Sequence, residues 1–428
     1  MMLKLAPALI LALIFFSSHA QENWLSGIGN NIYNDSIKTV RIHKAGVVGS
    51  LPLIKLNSGD QITLEFDWLD EPYQDLQYTF IHCDESWNPS DIFVMDYLDG
   101  LENNYVSKFR NSFNTYQFYT HYVIAFPNEN VKFKIAGNYI IKVFRMGEPD
   151  KPILTQRFFV LNNKLNVDGV IRQPTFAKYR QYGHEIDFDV SISNVNIPDP
   201  YNNIKVVVMQ NNRWDNVIRN LKPQFIQDQK LIYDYEDENI FMAGNEYRIA
   251  DLRSVITPRF GVTRLYLDSM YNALLDIDED RSYLTYTQYI DINGRYVIGT
   301  ESMNNPSTES DYINAKFRVS SAYELIPGDN IYLFGELTNW KLNEKYKLSK
   351  NESSGLYELE IKIKQGYYNY EYIVTNDLNG PFPSGEFEGN HVETENDYTI
   401  FVYEYHQLFD TYTLVGLSRL NSQVLDSR

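Results

Sequence analysis

The sequence predicts an all-β protein, a row of tandem immunoglobulin-like or early-set sandwiches, and three observations carry that expectation. Apolar residues recur with period two along most of the chain, turn residues punctuate those runs, and helical periodicity is nearly absent. The aromatic content agrees, because 34 Tyr and 24 Phe suit half-buried pleated surfaces. A chain of 428 residues has material for several cores. Its 38 Lys and Arg stand against 56 Asp and Glu, a net charge of −18, which a phosphate backbone would repel; nucleic acid is excluded as a ligand class. The single cysteine, Cys83, excludes an internal disulfide and any multi-cysteine metal site.

The elements follow in chain order. Residues 1–20 read as a cleavable export signal: Lys4 supplies a basic start, Leu5 to Phe16 is apolar but short for a bilayer, and Ser18 and Ala20 precede the expected cleavage before Gln21. No Cys lies near that point to take a lipid, and no later stretch has the apolar length of a membrane-spanning helix. Ile62, Leu64, Phe66 and Trp68 alternate with polar residues, as do Tyr116 through Phe126, Ile186 through Ile192, and Tyr357 through Ile363. Each run sets one face toward a core and one toward water. Ser58-Gly59, Pro127-Asn128, Gly137-Asn138 and Gly328-Asp329 are turn signals. Asn293-Gly294, between Tyr289-Ile290 and Tyr296-Val297, predicts a hairpin with a type I′ turn. Polar breaks at Asn162-Asn163-Lys164 and over Thr300 to Asp311 divide the mature chain into expected sandwiches at 21–162, 163–305 and 306–428, the last with a tail ordered to about Leu417.

Two resemblances follow from particular residues. Asn330 to Trp340, then Gly355 to Leu359, Gln365 to Tyr368 and Tyr370 to Tyr372, resemble the opening of an early-set or glycogen-binding sandwich. In sugar-binding members the Asn-Trp tryptophan stacks on a glucan ring, and Trp340 holds that place. Glu371 and the Phe382 region depart from the basic residue and second Trp of those members, so Trp340 is read as a partly buried core residue, with glycan stacking as the alternative.

The second resemblance spans nearly the whole mature chain. Tyr78 to Asp84 with Trp87-Asn88-Pro89-Ser90, Asp96 to Gly100, Ser112 to Thr115, Phe126 to Glu129, Asn245 to Arg248, Asp291 to Gly294 and, above all, Glu388 to Ile400 resemble the type IX secretion system plug family. That resemblance implies a periplasmic, non-enzymatic protein at the inner face of the outer membrane. Its implied partner is the outer-membrane translocon barrel, whose periplasmic mouth it closes. The alternative function is an exported carbohydrate-binding protein using the last sandwich.

Loops on a scaffold commonly carry partner contacts. The candidate partner-binding residues are therefore Asp84, Trp87 and Asn88 in one polar loop and Glu388, Asn390, His391, Glu393 and Glu395 in another. His391 and Glu393 would share a strand face, but two ligands are too few for zinc. Asp276, Asp278 and Asp280 imitate a calcium loop, yet Arg281 stands where the motif needs Gly and Thr287 where it needs Glu, so a solvated acidic turn is expected. His82, Cys83, Asp84 and Glu85 are adjacent, the wrong geometry for a nucleophile and base on a strand. No catalytic residue, metal or cofactor is expected.

Overall fold

A computed structural model describes residues 29–193, 195–301, 305–320, 325–379, 382 and 384–423. The expected export signal at residues 1–20 lies outside the described residues. Among the described residues no helix is long and apolar enough to cross a membrane. The chain is all-β, made of sheets packed face to face.

The first sandwich sets strands Asn31–Ile32, Pro152–Leu161, Gly137–Arg145, Leu76–Cys83 and Asn104–Tyr105 in one sheet, with Leu53–Lys55 added parallel to Pro152–Leu161. Strands Ile37–Lys44, Ile62–Leu69, Tyr119–Phe126 and Lys108–Asn111 form the other. Ile62, Leu64, Phe66 and Trp68, the alternating set of the sequence, bury their side chains between the sheets with Phe80, Tyr139 and Phe158. The run expected from Tyr116 starts its ladder only at Tyr119. Upstream, the Tyr116 and Gln117 backbone N–H groups donate instead to the Asp311 carboxylate, at 2.7 and 3.1 Å.

The second sandwich is discontinuous. One sheet holds Asn166–Arg172, Gly183–Ser191, Lys230–Tyr233 and Phe225–Gln227, with Ile240–Met242 beside Gly183–Ser191. The other holds Ile218–Arg219, Ile204–Gln210, Asp397–His406 and Thr411–Asn421. Asp397–His406 and Thr411–Asn421 thus complete the second core, where Tyr398, Ile400, Val402 and Val415 meet Ile186, Phe188 and Val190.

The third sandwich lies between those halves. Arg248–Asp251, Gly366–Thr375, Tyr296–Ile298 and Asn330–Phe334 pair in one layer. Val262–Leu267, Tyr271–Asp278, Tyr312–Val319, Tyr357–Lys364 and Ser349–Lys350 pair in the other. The boundary expected at 305 is overturned, because Tyr271–Asp278 pairs in parallel with Tyr312–Val319 directly across it. The connection that such a parallel pair requires carries strand Tyr296–Ile298 and, just before Tyr312–Val319, the short helix Pro306–Glu309. Its polarity serves the first sandwich: Thr308 O accepts from Phe113 N, and Ser310 O accepts from the Tyr119 hydroxyl. The unit expected at 306–428 likewise divides, since Asp397–His406 pairs with Ile204–Gln210.

The Asn293-Gly294 turn is present, with both φ values positive and Arg295 N bonded to Ile292 O. The hairpin is not. Tyr296–Ile298 pairs with Gly366–Thr375, and Tyr289-Ile290 forms no strand. A Cβ on Gly294 would stand 2.4 Å from the Trp340 ring and 2.7 Å from Tyr247, so the turn is shaped by tertiary packing.

Candidate partner-binding loops

The loop after Leu76–Cys83 is closed by Asp84, whose carboxylate accepts from Ser86 N at 2.9 Å and Asn88 N at 2.8 Å. This Asx turn carries Trp87 inward, not outward. Its indole is 3% exposed and packs edge-on against Phe159 and Trp214, with the Arg157 guanidinium 4.5 Å from its centroid. These groups belong to a seam in which Cys83, Ile140 and Phe159 of the first sandwich meet Val207, Met209, Phe401 and Leu414 of the second. Glu85 adds an ion pair to Lys205 across it, at 2.6 Å. The sheet carrying Gly137–Arg145 is therefore covered on both faces, which is why that strand is buried without a break from Gly137 to Phe144. Trp87 does not present a surface to a partner. Asn88 is exposed and Asp84 half-buried.

The second loop is the return crossing from the third sandwich to the second. Ala243, Gly244 and Asn245 make the outward crossing, and the two lines of chain bind each other. His391 N donates to Gly244 O, Gly244 N to Asn390 Oδ1, Asn245 Nδ2 to Glu388 O, and Asn396 Nδ2 to Ala243 O. Glu388 is fully buried between Arg248 and Arg281, at 3.1 and 2.5 Å, and accepts from Tyr372 N. Burial opposes its charge, but the two guanidiniums prevail and hold its carboxyl below the ordinary value. Glu388 is a structural counter-ion, not a partner contact. Asn390, His391 and Glu395 are half-buried and Glu393 exposed; Asn390, His391 and Glu393 line a cleft of about 620 Å³ with Gln181, Tyr182 and Tyr286. The structure does not gather the two predicted loops into one patch, since one borders the seam between the first and second sandwiches and the other is the crossing from the third to the second.

The remaining sequence candidates are occupied. Trp340 is 9% exposed, edge-on to Tyr247 and Phe334, with Leu342 and Ile373 beside it. The exposed ring that glycan stacking needs is absent at this position. Glu371 pairs with the buried Arg213 at 2.8 Å, and burial raises its carboxyl to about 7 against the pull of that guanidinium. Phe382 lies edge-on to Phe334. Asp278 is not part of a solvated turn: it pairs with Arg248 at 2.8 Å and accepts from the Tyr370 and Tyr372 hydroxyls. Asp276 accepts from Thr263, and Asp280 from Ser282 N. Cys83 is fully buried, which pushes its thiol up to about 12, away from a thiolate nucleophile. His82 is pushed down to about 4 by burial, with Nδ1 2.8 Å from the Ser90 hydroxyl.

Sequence reasoning missed the exposed apolar side chains of the first sandwich, among them Phe93, Met95, Leu101, Tyr105 and Phe113. The signal available was Ile92-Phe93-Val94-Met95, an apolar run outside any alternating strand; Ile92 and Val94 pack inward and leave Phe93 and Met95 out.

The first sandwich is also where a known family appears. Residues 37–162 match the model of the type 9 secretion system plug protein first domain. The chain belongs to the type IX secretion system plug family. That family is a secretion-system family and not a known family of enzymes. A hypothetical protein from Parabacteroides merdae ATCC 43184, solved by crystallography, superposes on this plug-family chain with a TM-score of 0.88. The two are 31% identical over 92% of this chain and 99% of that one. The Pseudomonas fluorescens alkylpurine DNA glycosylase AlkC bound to abasic-site DNA covers 29% of the chain and 30% of its own at 9% identity; its TM-score of 0.17 carries no argument. No curated protein matches the sequence.

Proposed function

We propose that this chain plugs the periplasmic opening of the type IX translocon barrel in the outer membrane. The plug-domain match over residues 37–162 carries the reading. The architecture supports it, because a stopper must resist deformation and its sandwiches are joined by buried contacts. Asp67 to Lys364 ties the first to the third, Arg213 to Glu371 the second to the third, and the Trp87 seam the first to the second. An export signal at residues 1–20 and a periplasmic site at the outer membrane belong to the same proposal.

The contact we assign to the barrel is made by the exposed apolar side chains Phe93, Met95 and Phe113, with the accessible predicted residues Asp84 and Asn88 in one loop and Asn390, His391, Glu393 and Glu395 in another as separate further contacts. An affinity-tagged chain, purified with outer-membrane detergent extract, is expected to retain a giant outer-membrane barrel identified by mass spectrometry. A folded Phe93→Ser, Met95→Ser, Phe113→Ser variant is expected to lose that retention. Recovery of no membrane partner would overturn the plug reading, and undiminished retention by the variant would overturn the contact.

A further inference from the structure

A cavity of about 280 Å³ opens where strand Ile37–Lys44 of the first sandwich faces strand Tyr357–Lys364 of the third. Its walls mix apolar and polar groups, with Tyr346, Leu337 and Ile363 on the apolar side and Lys38, Lys345 and Lys362 on the polar side. Three lysines in one small concavity run against the field of a chain with net charge −18.

Carboxylates in the same wall oppose that charge in part. Of the carboxylates in the wall, Glu336 accepts from Tyr296 N at 2.9 Å, and Glu360 is 3.6 Å from Lys316. The wall thus holds three carboxylates and four lysines, and of the carboxylates Asp35 is the one that acts on the Lys38 ammonium. Lys364, deeper in the wall, is committed to Asp67. Lys362 reaches the Gln117 amide oxygen at 2.6 Å, a neutral acceptor. Among the described residues neither Lys38 nor Lys345 has a carboxylate within ion-pair distance. Burial first, then the Lys345 charge and, more weakly, that of Lys362, hold the Lys38 ammonium below its ordinary value, with Asp35 opposing. An ammonium held near other ammonium groups gains most from an anion placed between them.

We infer that this cavity binds a small amphipathic anion, its carboxylate between Lys38, Lys345 and Lys362 and its apolar body against Tyr346, Leu337 and Ile363. The volume limits the occupant to a short chain or a single ring, and the charge on the ammonium groups strengthens their hydrogen bonds to a carboxylate. The proposal does not depend on plugging, since it concerns the seam between two sandwiches rather than the surface facing a barrel.

Sodium octanoate is a suitable probe, titrated calorimetrically into the full chain, with 1-octanol and inorganic phosphate as the apolar-only and anion-only arms. Saturable one-site binding of octanoate is expected, with both other probes at least about tenfold weaker. The Lys38→Gln, Lys345→Gln variant is expected to bind octanoate about tenfold more weakly, through loss of two charge-assisted contacts. Lys345→Gln alone, at an exposed turn, should weaken binding without touching the fold. Absence of saturable binding, equal binding by both variants, or octanol or phosphate binding as well as octanoate would each overturn the proposal.

Discussion

Asp67 and Lys364 offer the sharpest test of how the first and third sandwiches are held. Asp67 Oδ2 lies 2.7 Å from Lys364 Nζ and 2.7 Å from the Tyr312 hydroxyl, and Oδ1 lies 2.7 Å from His121 Nδ1. Both side chains of the ion pair are 1% exposed. Asp67→Asn leaves the Lys364 ammonium buried beside a neutral amide, with the Ser307 carbonyl and the Tyr119 ring as its other neighbours. Removing one member of a buried pair costs about 3–5 kcal/mol. Lys364→Met should cost less, because the Tyr312 hydroxyl and His121 Nδ1 still hydrogen-bond the carboxylate. The double variant Asp67→Asn, Lys364→Met removes both charges and should cost less than the sum of the singles by about 2 kcal/mol or more. Urea unfolding of the four proteins at pH 7 reads these values. A cost below about 1 kcal/mol for Asp67→Asn, or strict additivity in the cycle, would refute the reasoning. Acid adds a second check. Burial opposes the Asp67 charge, but Lys364 and His121 overcome it and hold the carboxyl below its ordinary value. Its contribution is therefore complete above an unfolded pKa of about 3.9 and lost as pH falls through the lower folded value, a limb that Asp67→Asn should lack.

Three further outcomes are expected. His82 is held neutral down to about 4, so wild-type stability should fall as pH drops from about 6.5 toward 4, by about 3 kcal/mol in full; His82→Gln should flatten that slope in denaturant midpoints taken across the range. Gly294→Ala meets the Trp340 and Tyr247 rings at a positive φ of 74°, and should destabilise by about 2–4 kcal/mol; a change within 0.5 kcal/mol, read by urea melts, would contradict the close approach. Trp340→Ala empties a packed site and should cost about 3–5 kcal/mol while leaving retention on insoluble glucan unchanged; a selective loss of glucan retention would restore the stacking role.

The local parts of this architecture were written openly in the chain. Ile62 to Trp68 and Ile186 to Val190 alternate because one face of each strand meets a core and the other does not. The Asn293-Gly294 turn was legible because its positive φ angles select those residues. Family membership was readable as well, since it lives in ordered short motifs. Three-dimensional folding decided what those motifs are for. Glu388 to Asn396 looks like a polar surface loop because it is rich in acids and amides. Those groups are instead consumed by Arg248, Arg281 and the backbone of Gly244, partners over a hundred residues away in the chain. Trp87 read as a partner contact and is core, whereas Trp340 read as core with stacking as the alternative, because side-chain type fixes chemistry but not exposure. The polar residues before Tyr312–Val319 passed for a linker because periodicity reports a strand's faces and never its partner. Period, turn chemistry and composition are properties of neighbours in sequence, so the sequence alone determined the class, the strands and the family. Insertion of the third sandwich into the second, the buried ion pairs and the lysine-lined cavity join residues far apart in sequence. Only the closing of the chain on itself decides which of them meet.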